Sequence, residues 1–398
     1  MNILLIGNGF DLAHHLPTSY NDFLNFLGRI FSNSKNPPPL RLTELENSIN
    51  ATENLEIIKN IKKLYNTNIW YIHFLRQKNI SSNWCDFESE IEYVTNNLQN
   101  IKKSFQRERI IDSNKIDSPI KRFIDLAVQD YLFEIWMEEY SKIEGFKWTR
   151  SPSEMPTNIQ FTIGLSRSID KFNIATNIHK NSKVIIAYEG LIKFIIDQLN
   201  EFTKCFELYL TIFVNKLNIP KIKFIDDILK TPNINIISFN YTNTISKYIT
   251  ISDNNISFIH GKATDNEHNN LVLGIDEQED QSDPLFMRFK KYFQRYEKSC
   301  SIKYYEWIKE INYQHSVFNP PTHTLLIIGH SLTLSDREIL YKLITLNEMH
   351  TSIYYHSEES KIELMQNLAA ILGQENFTNL TLNEKICFIP GAFNEIEN

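Results

Sequence analysis

The chain opens on Ile3-Leu4-Leu5-Ile6, a short uninterrupted apolar run stopped by Gly7-Asn8-Gly9. Continuous rather than alternating apolarity suits a strand covered on both faces, as in a parallel sheet. Asn2 to Ile6 is therefore predicted as a buried strand. Beyond the loop, Phe23, Phe26, Leu27 and Ile30 recur at helical spacing behind the capping residue Ser19, so strand, turn and helix form the first unit of a doubly wound sheet. From about residue 31 to about residue 225 helical periodicity dominates. One helix is predicted after Asp117-Ser118-Pro119, with Ile120, Phe123, Ile124, Val128, Leu132 and Ile135 on one face. Residues 150–158, with Pro152 and Pro156, read as an exposed connection. Strand signals return at Ile234–Phe239, Ile256–Ile259, Leu271–Leu273, Thr324–Ile328, Ile353–Tyr355 and Ile386–Ile389. Between them, Asp283-Pro284 starts a helix carrying Leu285, Phe286, Phe289 and Phe293 inward. Ser335 and Glu338 have capping-box spacing before Ile339, Leu340, Leu343 and Ile344. The fold class is α/β, a Rossmann-like doubly wound, mostly parallel sheet with a large helical insertion. Residues 1–30 and 226–398 make the nucleotide-binding domain, and residues 31–225 the insertion.

Composition adds limits to this picture. A chain of 398 residues exceeds the roughly 250 to 300 at which one core stops growing, which agrees with a core domain plus an insertion. Hydrophobic residues at 42% and charged residues at 22% are ordinary globular usage and argue against disorder. A formal net charge of -7 argues against a broad basic surface, so neither nucleic acid nor a membrane is an expected partner. Cys85, Cys205, Cys300 and Cys387 stand far apart, without zinc-site spacing, and fit reduced thiols with no metal. The first apolar run is too short for a signal peptide or a span, and Val184 to Ile196 is interrupted by Glu189 and Lys193, so a cytoplasmic location is expected.

Four strand-end loops carry candidate chemistry. In Gly7-Asn8-Gly9-Phe10-Asp11, glycines directly after a buried strand would let backbone N–H groups approach a phosphate, with a strand-ending turn as the alternative. Leu12 stands where G-x-G-x-x-G has its third glycine, and no Walker A lysine follows, which weighs against an ordinary dehydrogenase and a P-loop NTPase. Ser238-Phe239-Asn240-Tyr241-Thr242 lies where open α/β sheets place ligands; Asn240 would hold a water or a ribose hydroxyl, or it and Thr242 would cap the next helix. His260-Gly261 ends the following strand, offering a base or a partner for a ribose hydroxyl. Gly329-His330-Ser331-Leu332 closes a very apolar strand, with Ser331 offering a hydroxyl and Asp336 assigned to the next helix cap. Trp84, Phe87, Ile91 and Val94 share a helical face, which makes the neighbouring acids mostly a solvated face, with Glu88 reaching the site as the alternative. His14 and His15 point apart on a helix and are not read as metal ligands.

Gly7-Asn8-Gly9-Phe10-Asp11-Leu12-Ala13-His14, continued by Leu16-Pro17-Thr18-Ser19-Tyr20, resembles the opening signature of the bacteriophage abortive-infection AbiH family. Trp84 with Glu88, the Ser238 to Thr242 block, His260-Gly261 and Gly329-His330-Ser331-Leu332 resemble it too. That family is more distantly similar to sirtuin-like NAD-binding defence proteins. The resemblance implies one NAD site, with Gly7, Asn8, Gly9, Asp11, Thr242, Gly329 and Ser331 binding the nucleotide and Asn240 and His260 catalytic. Thr242 stands where sirtuin-like motifs usually carry aspartate, and the zinc-cysteine module of deacylases is missing from the sequence. The implied function is antiphage abortive infection by an NAD-consuming hydrolase that cleaves the nicotinamide–ribose bond. A non-catalytic sensor of NAD or ADP-ribose and a toxin acting on nucleic acid are the alternatives. A phage-derived trigger and a homo-oligomer belong to the same expectation.

Overall fold

A computed structural model describes residues 1–31, 51–65, 68–76, 85–106, 123–124, 126–127, 183–264, 270–276, 283–315, 321–393 and 395. Its centre is a six-stranded sheet of β1 (Asn2–Ile6), β2 (Ile234–Ser238), β3 (Ile256–Phe258), β4 (His323–Ile328), β5 (Met349–Tyr355) and β6 (Ile386–Pro390). The strands lie in the order β3-β2-β1-β4-β5-β6 and every pair is parallel. The order reverses between β1 and β4, which opens a crevice beyond their carboxyl ends. Register brings the candidate loops to that crevice together. Ile6 stands opposite Ser238 on one side and Ile328 on the other, and Ser238 stands opposite Phe258. The loops at Gly7, Phe239, Ile259 and Gly329 therefore leave the sheet along one edge.

Alternation along β1 explains how the sheet is covered. Ile3 and Leu5 join one buried apolar cluster with Ile237, Leu325 and Ile327, whereas Leu4 and Ile6 join another with Ile222, Ile225, Ile236 and Ile328. Successive side chains point to opposite faces, so a strand apolar at every position needs both faces packed. Helix α1 (Asn8–Ala13) and α2 (Tyr20–Phe31) follow β1. Ser19 caps α2 as expected: its Oγ accepts from Asp22 N–H at 3.2 Å, and the Asp22 carboxylate accepts from Ser19 N–H at 3.0 Å.

The described part of the inserted segment is mostly helical, through α3 (Leu55–Tyr65), α4 (Ile69–Arg76), α5 (Cys85–Gln106) and α6 (Lys183–Ile212). A third cluster holds it together, and Tyr20, Phe23, Phe26 and Leu27 of α2 belong to that cluster rather than to the sheet faces. Conversely Ile222 and α7 (Lys223–Leu229) pack against the sheet. The described α-helices after α7 are α8 (Lys291–Glu297), α9 (Lys303–His315), α10 (Arg337–Ile344), α11 (Glu358–Leu372) and α12 (Gln374–Leu382). No described helix is long and apolar enough to cross a membrane.

Three expectations are corrected. Leu271–Leu273 is buried but is not a strand, because the Gln294 side chain takes the place of a neighbouring strand: its Oε1 accepts from Leu273 N–H at 3.0 Å and its Nε2 donates to Leu273 C=O at 2.9 Å. The helix behind Asp283-Pro284 starts as a tight 3-10 turn over Pro284–Phe289, with Asp283 accepting from Leu285 N–H at 3.2 Å; α8 begins only at Lys291. Ser335 does not cap α10, which follows a second 3-10 turn over Leu334–Asp336. Trp84, residues 150–158 and most of the helix behind Asp117 lie outside the described residues; Phe123 and Ile124 are helical and buried.

Candidate functional site

The first and fourth loops are pressed into one another. Gly7 N–H donates to Ile328 C=O at 3.0 Å, and Gly9 N–H donates to Gly329 C=O at 2.7 Å. A Cβ on Gly7 would lie 2.6 Å from His330 Cα, and one on Gly9 would lie 2.8 Å from Gly329 Cα. These glycines allow backbone to meet backbone. A phosphate held by the N–H groups of Gly7 and Gly9 would have to displace both bonds, and α1, with 6 residues, adds little dipole. Asn8 turns its side chain to Thr18 C=O at 3.2 Å. Ser331 is exposed, and its carbonyl accepts from Asn367 Nδ2 at 2.9 Å, so it is not part of the buried polar group.

Asp11, by contrast, points into the crevice together with the second loop. Its Oδ2 accepts from Thr242 Oγ1 at 2.6 Å, and Thr244 Oγ1 donates to Thr242 Oγ1 at 3.0 Å. Burial pushes the Asp11 carboxyl up to about 6, against the hydroxyls of Thr242 and Thr244 and the amide of Asn240. That amide favours the ionised carboxylate without meeting hydrogen-bond geometry, for Asn240 Nδ2 and Oδ1 and Asp11 Oδ1 are all buried without a hydrogen-bond partner. Ser238 explains why Asn240 is held so firmly. Its Oγ accepts from Asn240 N–H and donates to Asn240 C=O, both at 3.2 Å, pinning the backbone and leaving the side chain to the crevice. An orphaned buried amide costs about 1 to 3 kcal/mol, a cost that a polar ligand or water would remove.

A second group surrounds Lys291, which is fully buried at the start of α8. Its Nζ lies 2.7 Å from Glu88 Oε1 of α5 and 3.0 Å from Asp336 Oδ1, and donates to Ser335 C=O at 3.1 Å. Asp336 also faces His260 Nε2 at 3.2 Å and His330 Nε2 at 3.5 Å. The His260 approach falls outside hydrogen-bond geometry and leaves Nε2 without a formal partner. His330 Nδ1 accepts from Leu332 N–H at 2.9 Å, which puts its proton on Nε2, toward Asp336. Phe239 packs edge-on against both imidazoles, with centroids 5.3 Å from His260 and 4.5 Å from His330. Tyr241 lies beside His260 and donates its hydroxyl to Val272 C=O at 2.8 Å.

Charge is shared unequally in this group. Burial would raise the Asp336 carboxyl, but Lys291 and His260 hold it well below the usual range. Burial raises Glu88 to about 7, although Lys291 opposes the shift, and two carboxylates raise the Lys291 ammonium despite its burial. Burial lowers His260 to about 4, with Lys291 adding to the effect, so its imidazole is neutral at neutral pH.

The structure thus brings together Asp11, Asn240, Thr242 and His260 from the residues singled out in the sequence. It adds Lys291, and at Lys291 it places Asp336, expected only as a helix cap, and Glu88. Asp336 occupies the N-cap position of α10 but makes no cap bond, because the ammonium of Lys291 draws its carboxylate inward. Glu88 is turned to Lys291 rather than to solvent. His14 is buried and neutral: Nδ1 donates to Phe10 C=O at 2.6 Å, Nε2 meets the Tyr248 hydroxyl, and burial lowers it to about 4. Lys291 carried no usable signal, since an unbroken helix from Pro284 would turn it away from Phe289; the break at Lys290 resets the phase.

A family model described as bacteriophage abortive infection AbiH matches residues 3–356, a span that runs from β1 through β5 and includes every residue of both polar groups. No curated protein and no solved structure matches the chain at a significant level.

Proposed function

The chain belongs to the bacteriophage abortive infection family AbiH, and from that premise we propose that it acts by hydrolysing the nicotinamide–ribose bond of NAD. The observation that carries this reading is the buried Asn240 amide, with both polar atoms unpaired, beside the unpaired Asp11 Oδ1 in the crevice where the strand order reverses. Donor and acceptor side by side suit a ribose diol, the feature common to nucleotides. Asp11, ionised above about 6, adds negative charge close to the ring that becomes oxocarbenium-like as the bond breaks.

Bond cleavage needs little else. The electron pair of the C1′–N bond moves to the pyridinium nitrogen, which leaves as neutral nicotinamide without needing a proton. Water adds to C1′ and gives up one proton to the protein. Asn240 would position the ribose or that water, and neutral His260, beside Asp336, would meet a ribose hydroxyl. The packed Gly9–Gly329 contact supports a site centred on the nicotinamide ribose rather than on the pyrophosphate.

Incubation of the purified protein with NAD, with and without infected-cell extract, tests the reading through nicotinamide release. Release should occur, and Asn240→Ala should reduce kcat by about 100-fold, the usual effect of deleting one preorganised polar group. NAD binding by calorimetry with no release in any condition would replace the hydrolase by a sensor.

A further inference from the structure

We infer that Glu88, brought into the crevice by α5 of the helical insertion, is the general base that takes the proton of the attacking water, with Lys291 as its positioning residue. The inference rests on the hydrolase reading and adds a catalytic group from outside the sheet domain. A hydrolysis that expels a neutral leaving group has one proton to place, and it comes from water. The acceptor must be a carboxylate or imidazole that is open to the crevice and still has capacity for a proton.

Geometry separates the candidates. Asp336 is surrounded by cations and N–H groups: Lys291 at 3.0 Å and His260 at 3.2 Å on Oδ1, and His330 at 3.5 Å on Oδ2. Protonating it would forfeit all three contacts. Among the described residues Glu88 has one cationic neighbour, Lys291 at 2.7 Å on Oε1, and its side chain keeps 11% of its surface open whereas that of Lys291 keeps 0%. The groups facing Glu88 are Lys291 of α8, Ser335 and Asp336 ahead of α10, and Tyr241 behind β2. Two carboxylates on one ammonium leave one negative charge uncompensated, so a proton arriving near neutrality settles on the carboxylate with fewer ammonium and imidazole neighbours. That carboxylate is Glu88, and its position near 7 gives it useful basicity at neutral pH. His260, lowered to about 4, is too weak a base for the same step.

The balance is complete: the water oxygen bonds to C1′, the C1′–N pair leaves with nicotinamide, and the water proton moves to Glu88, then to solvent. Placing the base on the insertion also makes turnover depend on how the insertion is seated, since Lys291 is the link between Glu88 and the loops of the sheet.

Three readouts on the full-length protein test the assignment. In the parent, nicotinamide release should rise with pH through an apparent midpoint near 7. Glu88→Gln should lose about 100-fold or more in kcat and lose that pH limb, while NAD affinity stays the same. Azide, a nucleophile with no proton to give up, should restore turnover to Glu88→Gln and yield the ribosyl azide; a merely structural role would show no such rescue. Glu88→Asp, which keeps a displaced carboxylate, should retain partial activity, and a carbon-13 titration of labelled glutamate should find Glu88 changing protonation near neutrality even before turnover is measured. An active parent whose Glu88→Gln variant keeps its rate and pH profile overturns the base assignment alone. A parent that never releases nicotinamide overturns the hydrolase reading and the base with it.

Discussion

Gly329 has a φ of +66°, and a Cβ built there would overlap Phe10 N. Left-handed backbone costs an L-residue on the order of 1 kcal/mol, and the overlap with backbone adds to it, so Gly329→Ala should destabilise by about 3 kcal/mol or more in urea titrations. Asp11 offers a test with a defined sign. Its carboxyl is raised to about 6 in the folded protein from about 3.9 unfolded, so its contribution to stability is fully present below about pH 4 and is lost as pH rises through 6, to the extent of about 3 kcal/mol. Asp11→Asn should flatten stability between these values, measured as denaturation midpoints across pH; an unchanged slope would show that Asp11 is not the group responsible. Gly7, Gly9 and Gly329 were legible as positions of close approach, but the sequence could not say that what approaches is the neighbouring loop. Asn240 and His260 were legible because each stands two residues past a strand whose apolar run marks its end, and Asp11 because it closes the glycine loop after β1.

At the scale of elements, α5 and α8 meet the α10 junction through Lys291. Removing the ammonium strands two buried carboxylates, so Lys291→Met should destabilise by about 3 to 5 kcal/mol. Adding Glu88→Gln to that variant should recover part of the loss. A double-mutant cycle by chemical denaturation checks this, and strictly additive effects would deny the coupling. Most elements could be placed from periodicity alone: Phe87, Ile91 and Val94 of α5 and Ile339, Leu340, Leu343 and Ile344 of α10 are buried on the faces their spacing marks. The misses share a cause. Leu271–Leu273 and Asp336 were assigned by local pattern, but Gln294 and Lys291, distant in sequence or hidden by a phase break, supplied the partners that decided their conformation.

For the whole molecule, β1 and β4 pair on both sides and supply alternate residues to both packed faces, whereas β3 and β6 are edges. Amide exchange should therefore be slowest in Ile3–Ile6 and Leu325–Ile328 and faster in β3 and β6, as mass spectrometry of deuterated peptides would record. Uniform exchange across the sheet would contradict this order. The sequence by itself determined the α/β class, the mostly helical character of the described part of the inserted segment, and the loops at which polar groups leave the sheet. Those properties follow from local periodicity and from which residues can end a strand or cap a helix. Only the tertiary structure decided the strand order, the packing of α2 with the insertion and of residues 222–229 with the sheet, and the meeting of Glu88, Lys291, Asp336 and His260. A buried charge is stable only against its partners, and those partners are brought together by the fold, not by adjacency along the chain.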